Sequence, residues 1–485
     1  MSRLHDTSLA LAAIVAAALL TVAAGAQPQR PDRSKPPALG PAPRLELPVI
    51  QKRQLSNGLA VWIVEAHEVP LAQVTLLVRA GSGDDPAGRF GVASLTAAML
   101  DEGAGARSAL EIADAVEGLG AALSSVSSFD ASSVRLNVPS ARLVEALPIM
   151  ADVALRPTFP DKELERLRQE RITALLQARD DPASIAPMAF ARVVFGPAHR
   201  YGTGAMGTET TLTAFTTADL HAFHAARFTP ANATLIAVGD VRGDAIVPLL
   251  ERHFGGWKAA AAGVRTPVPT APQLSGRQVT IVDVPGAAQS QIRIGWVGVP
   301  RSTPDYFPLQ ILNTILGGSF TSRLNQNLRE QHGYTYGASS RFEMRLSAGS
   351  FVAGAGVQTD KTSEALREFF NELTGIAKPV GAEELTKAKN YLALGLPGEF
   401  ETIADLSSHV EELIVYGLPD DYFERYVANV QAVTAAQVAK AAATYIRPQH
   451  FAVVVAGDRK TIEPGIRALN LGPVRVLSVA EALGS

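Results

Sequence analysis

The sequence predicts an α+β fold made of two homologous halves, each a mixed or antiparallel sheet packed with helices, joined by a linker. Three observations lead there. An apolar strand closing on Gly-Asp occurs twice, as Thr234-Leu235-Ile236-Ala237-Val238-Gly239-Asp240 and as Ala452-Val453-Val454-Val455-Ala456-Gly457-Asp458. A strand feeding a helix and a glycine loop also occurs twice: 74–78 leads to 91–103, and 291–297 leads to 307–316 and Gly317-Gly318-Ser319. Between the copies, 258–275 is rich in alanine, proline and glycine, as linkers are. One supersecondary order recurring along a chain indicates repeated domains, here at 49–257 and 276–465.

The elements follow in order. Residues 1–26 combine a short polar start containing Arg3, an apolar run and Ala24-Gly25-Ala26, the pattern of a cleaved secretory leader. The apolar run is shorter than the roughly 20 residues a membrane span needs, so no span is expected after cleavage. Periplasmic or secreted location is the expectation. Residues 27–48 are proline-rich and read as a tether. The run 54–64 places an Asn57-Gly58 turn between two strands. Strand 74–78, a short helix inside 91–103, a helix at 108–119 and strands at 121–127 and 132–139 complete the first sheet. Helices are expected at 143–155 and at 161–179, the latter with charge pairs at i,i+4 and ended by Asp180-Asp181-Pro182. A helix at 218–228 carries His221 and His224, a pair open to metal ligation but expected to be a solvated face. His199 lies in a Gly-flanked loop and is expected to serve loop architecture. In the second half one strand is expected to run on from Tyr336 through 341–357.

Composition narrows the functions available. A hydrophobic share of 47% and a charged share of 19% indicate a folded globular chain, and 485 residues suffice for several cores. A net charge of −3, with no block of like charge, gives nucleic acid nothing to hold. With no cysteine there is neither a disulfide nor a lipid anchor. No H-E-x-x-H run and no Gly-x-Ser-x-Gly elbow occurs.

The order of strand, Gly-Ser loop, short helix, glycine loop and helix across 74–121 resembles the front of the insulinase/pitrilysin family of zinc peptidases. There the short helix carries H-x-x-E-H. The resemblance implies a clamshell of two halves and puts the two histidines on Ser94 and Ala98, and the glutamate base on Ala97. The third zinc ligand falls on Ala174 and its companion glutamate on Leu167. None of these five side chains offers an imidazole or a carboxylate, so no metal and no catalytic residue is expected in this chain.

The second half holds the run from Leu316-Gly317-Gly318-Ser319-Phe320-Thr321-Ser322-Arg323-Leu324 through Leu328-Arg329-Glu330 to Gly333-Tyr334-Thr335-Tyr336-Gly337. It is similar to the family's C-terminal signature, which implies that Arg329 and Tyr336 are its substrate-binding pair. Arg offers fixed, permanently charged donors and Tyr one oriented hydroxyl, which suits a peptide carbonyl. Arg323 is expected to stabilise the start of a helix, and Tyr334 is the weaker aromatic. A binding pair beside an erased metal site implies a non-catalytic subunit of a heterodimeric zinc peptidase. Its homologous partner would bring H-x-x-E-H and the zinc, and peptides would be the substrate. The alternative is a homodimeric peptide-binding or scaffold protein without hydrolysis.

Overall fold

β-Branched and aromatic runs bounded by glycine and proline form the strands, and their register sets the architecture. The computed structural model describes residues 40, 46–258 and 267–484. The expected leader at 1–26, most of the tether at 27–48 and residues 259–266 of the linker lie outside the described residues. In chain order come β1 (Gln51–Gln54), β2 (Ala60–Glu65), β3 (Leu71–Val78), a small hairpin of β4 (Gly103–Ala104) and β5 (Arg107–Ser108), β6 (Ala122–Ser127), β7 (Ser132–Pro139) and β8 (Ala233–Gly239). The second half adds β9 (Gln278–Asp283), β10 (Gln289–Val297), β11 (Thr335–Phe342), β12 (Ser350–Gln358), β13 (Ala452–Gly457) and β14 (Val474–Leu477).

Two six-stranded sheets result, in the orders β1-β2-β8-β3-β7-β6 and β11-β12-β10-β13-β9-β14. The recurrent closing strand explains both. β8 lies between β2, to which it is parallel, and β3, to which it is antiparallel. β13 lies in the same way between β9 and β10. A central strand is covered on both faces, so it reads as an unbroken apolar run; every residue of β8 and β13 is buried. The Asn57-Gly58 turn is present, with Gly58 at φ 86° and the Asn57 amide donating to Phe254 O and Trp257 O, each at 2.9 Å.

The halves differ at one edge. The first sheet ends there on β1, antiparallel to its neighbour, and the second on β14, parallel to its neighbour. The second half therefore continues past 465, a position inside the helix Arg459–Ala468, to take in β14 and the helix Val479–Leu483. The single strand expected across 341–357 is instead a hairpin of β11 and β12. Its neck is closed by Glu343, whose amide donates to Ser350 O at 2.7 Å while its carboxylate accepts from the Ser350 hydroxyl at 2.7 Å. Polar bonding of that kind leaves no gap in the apolar pattern.

Each half lends a helix to the other. The helix Pro182–Phe195, capped by Asp181 accepting from Ala183 N and Ser184 N at 3.0 Å, packs on β10 and β13. Ile185, Phe190 and Val194 are buried there with Val282, Val297, Val352 and Val454. The approach is close: a Cβ on Gly295 of β10 would lie 2.9 Å from the Phe190 ring. In return the helix Ile403–Tyr416, capped by Thr402, packs on β3 and β8 and buries Ile403 and Val410 with Val64, Leu77, Ile236 and Val238. Arg135 of β7 closes this seam with a bidentate pair to Glu411 at 3.1 and 2.7 Å. No helix of the described residues is long and apolar enough to cross a membrane.

Candidate functional site

The helix Val92–Ala98 is short and held by its first turn. Gly91 stands at φ 107°, where a Cβ would meet Met206 O at 2.5 Å, so only glycine enters the helix this way. The buried Asp85 carboxylate accepts from Gly91 N at 2.7 Å and Ala93 N at 2.9 Å, taking up otherwise orphaned donors. Arg200 pairs with Asp85 at 2.8 Å, donates to Ser82 O and to Thr203 O at 2.9 Å, and lies between the Phe90 and Phe129 rings. His199, next to it, accepts from Tyr201 N at 3.1 Å through Nδ1 and donates from Nε2 to Pro269 O at 2.7 Å. Its role is architectural, as expected. Asp85 and Arg200 were not singled out from sequence; the signal available was an acidic residue in the loop six positions before the glycine that opens the helix.

Replacing Asp85 with alanine is expected to cost about 3–5 kcal/mol, because it leaves the buried Arg200 charge without its partner. Urea denaturation of the variant measures this. A loss below about 1 kcal/mol, the range of an exposed pair, would show that the pair does not hold the helix.

The helix places Ser94 and Ala98 half-buried on one side and Ala97 buried. Facing them is the helix Asp161–Gln177. Arg166 ties it to the loop after Ala98, pairing with Glu102 at 2.5 Å and with Glu163 at 2.8 Å. Leu167 packs half-buried against the first core, and Ala174 is exposed. Between them, four residues after one and three before the other, Arg171 turns inward. Its two terminal nitrogens donate to Ser94 Oγ at 3.3 Å and Ser94 O at 3.0 Å. Burial lowers its pKa to about 10, and the neighbouring Glu170 is the only acid that opposes the shift. A guanidinium thus occupies the ground between the expected ligand places.

Zinc takes imidazole, thiolate or carboxylate ligands. A serine hydroxyl, three alanine methyls and a resident cation do not fit it. Among the described residues no group of three or more His, Cys, Asp or Glu is arranged to hold a metal ion. Of the face expected to be solvated, His221 is exposed as expected, whereas His224 is half-buried and packed. His221 meets the Phe159 ring edge-on at 4.9 Å, and His224 donates to Ala154 O at 2.9 Å and stacks on Phe228. Burial lowers the His224 pKa. The buried Phe159 lies against both rings, but only His224 is also held by a backbone carbonyl and a stacked ring.

In the second half the signature forms two backbone irregularities in series. After the short helix Arg323–Asn325 the chain makes a π-helical turn, Gln326–Gln331, which carries Arg329. β11 is an edge strand, and its pairing with β12 shifts register between Thr335 and Ala338, a bulge that contains Tyr336. Bulges re-aim side chains, and Tyr336 is 89% exposed. Asn325 ties the parts together, donating to Phe320 O at 2.7 Å and accepting from Ala338 N at 3.1 Å. The Arg329 guanidinium lies 4.5 Å from the centre of the exposed Phe320 ring, with Glu330 at 3.3 Å. Arg323 does not serve the helix start. It makes a bidentate pair with Glu384, 2.7 Å on each arm, because the fork geometry matches that carboxylate. Tyr334 stacks on His332 and packs against the second core. No hydrogen bond or ion pair among the described residues joins Ser94 or Arg171 to Arg329 or Tyr336.

Two family models match this chain: insulinase (peptidase family M16) over residues 60–189, and peptidase M16 inactive domain over 214–392. The chain belongs to the insulinase family. An uncharacterized zinc protease of Mycobacterium bovis is 27% identical over 446 residues, 89% of this chain and 98% of that protein. One from Bacillus subtilis is 24% identical and matches 66% of this chain and 77% of its own length. Among solved structures, a peptidase M16 inactive domain from Pseudomonas fluorescens superposes with a TM-score of 0.78 at 26% identity, over 84% of this chain and 98% of that one. A protease from Helicobacter pylori gives the same TM-score at 20% identity, covering 84% and 100%, a likeness of fold. This insulinase-family chain has Ser94, Ala97, Ala98 and Ala174 where the family resemblance puts the zinc ligands and base.

Proposed function

We propose that this chain is the non-catalytic, substrate-binding subunit of an exported heterodimeric zinc peptidase, whose homologous partner carries H-x-x-E-H and the metal. The observation that carries the reading is the pairing of an erased metal site with Arg329 and Tyr336 set on a π-helical turn and an edge bulge. Both irregularities interrupt regular hydrogen bonding, and such features recur at functional sites. An exposed phenol and a guanidinium lying over an exposed ring are poised to hold a peptide carbonyl and to donate to the oxyanion formed at the partner's metal. Export is supported by the leader pattern at 1–26.

The test is peptide hydrolysis by the mature chain alone and mixed with an H-x-x-E-H homologue encoded beside it, with zinc counted in each sample. Activity and zinc in the mixture only are expected. Tyr336→Phe and Arg329→Ala are each expected to lower kcat by about 100- to 1,000-fold, the cost of one lost oxyanion donor. Zinc-dependent hydrolysis by this chain alone would overturn the reading. An inactive mixture that still binds peptides would favour a homodimeric peptide-binding protein.

A further inference from the structure

We infer that Arg171 and Ser94 form a carboxylate-recognition subsite in the ground the metal has vacated, selecting peptides with an acidic side chain or a free C-terminus there. The inference rests on the peptide-binding reading above and adds its substrate class. Arg171 is half-buried, and two of its nitrogens are committed to a single neutral residue. No carboxylate of the described residues lies within ion-pairing distance of it, although the same helix pairs Arg166 with Glu102, Glu163 and Glu170 and holds Arg168 near Glu165. A guanidinium withdrawn from water and left without an anion is complementary to a planar carboxylate, which it can meet with a charged fork. Burial has already drawn its pKa down to about 10, so the penalty that an incoming anion relieves is present in the free protein.

The surroundings bring a peptide to it. The helix bearing Ser94 packs on β6, the outermost strand of the first sheet, whose residues 122, 124 and 126 are exposed. An edge strand offers unpaired backbone groups to an extended chain. A peptide lying along β6 would run past the helix that bears Ser94, the residue Arg171 bonds. The place that in zinc-binding relatives attracts oxygen atoms with a metal ion here attracts them with a cation of the chain's own.

The experiment uses fluorescent peptides of one sequence in three forms: interior Gln with an amidated C-terminus, interior Glu with an amidated C-terminus, and interior Gln with a free C-terminus. Binding is measured to the mature chain, to Arg171→Met and to Arg171→Lys, with thermal midpoints recorded to confirm folding. The unaltered protein is expected to prefer one carboxylate form by tenfold or more over the neutral peptide. Which form is preferred separates a side-chain carboxylate from a C-terminal one. Arg171→Met is expected to abolish the preference while leaving the neutral peptide's affinity in place, and Arg171→Lys to retain part of it. Equal binding of all three peptides, or a preference that survives Arg171→Met, overturns the subsite and leaves the peptide-binding reading standing. Binding of no peptide at all overturns both.

Discussion

Severed in the linker and expressed apart, residues 46–258 and 267–484 are each expected to fail to fold, and the intact chain to unfold in one transition. The reason is the exchanged pair of helices. Without Ile403–Tyr416 the first sheet loses the cover over Val64, Leu77, Ile236 and Val238. Burying one such side chain is worth about 1.5–3 kcal/mol, so four of them approach the whole net stability of a domain, about 5–15 kcal/mol. Arg135 would also lose its bidentate partner Glu411. The second sheet would in turn lose Ile185, Phe190 and Val194 over Val282, Val297, Val352 and Val454. Trp62 reports on the first sheet and Trp296 on the second, so urea unfolding of single-tryptophan variants follows each half separately. Coincident midpoints are expected. A Trp62 transition well separated from that of Trp296 would show that the exchanged helices do not couple the halves.

The duplication was legible in the sequence because a doubly covered strand reads as a nearly unbroken apolar run, and both β8, Thr234 apart, and β13 read so and close on Gly-Asp. The exchange was not. The face of Ile403–Tyr416 is amphipathic whichever sheet receives it, and nothing in its spacing names the partner. The side chains at the places where the resemblance puts ligands and base, Ser94, Ala97, Ala98 and Ala174, could be read directly, because ligand chemistry depends on side-chain type alone. What replaced the site was hidden. Arg171 sits in a helix of many charges, and its one distinction, facing Ser94 instead of a carboxylate, exists only in three dimensions. Tyr336 shows the same divide. The signature placed it, whereas the register shift that turns it outward depends on Thr335, whose hydroxyl oxygen accepts from Gly337 N at 3.0 Å and lies 2.7 Å from Gly356 O. His224 departs from its expected exposure for a related reason: it looks as solvated as the exposed His221 until Ala154 O, far away in sequence, is seen to accept from it.

Rebuilding the family's ligand set in this chain is expected to fail while Arg171 remains. The combined replacements Ser94→His, Ala97→Glu, Ala98→His and Ala174→Glu supply the two imidazoles, the base and the third ligand on the two helices that face one another. Yet the new carboxylates arise beside a half-buried guanidinium that has no anionic partner, and they are expected to pair with it before any metal arrives. The guanidinium also repels the ion directly. Two unit charges 4 Å apart interact by about 4 kcal/mol at an effective dielectric of 20, and zinc carries two. Such a penalty removes several powers of ten from affinity. Adding Arg171→Leu takes away both obstacles and keeps the helix face apolar. Zinc retained after dialysis is therefore expected to be negligible in the fourfold variant and near one equivalent in the fivefold variant. One equivalent in the fourfold variant would mean that Arg171 swings clear, and that the loss of ligands alone, not the cation that replaced them, keeps metal from this site.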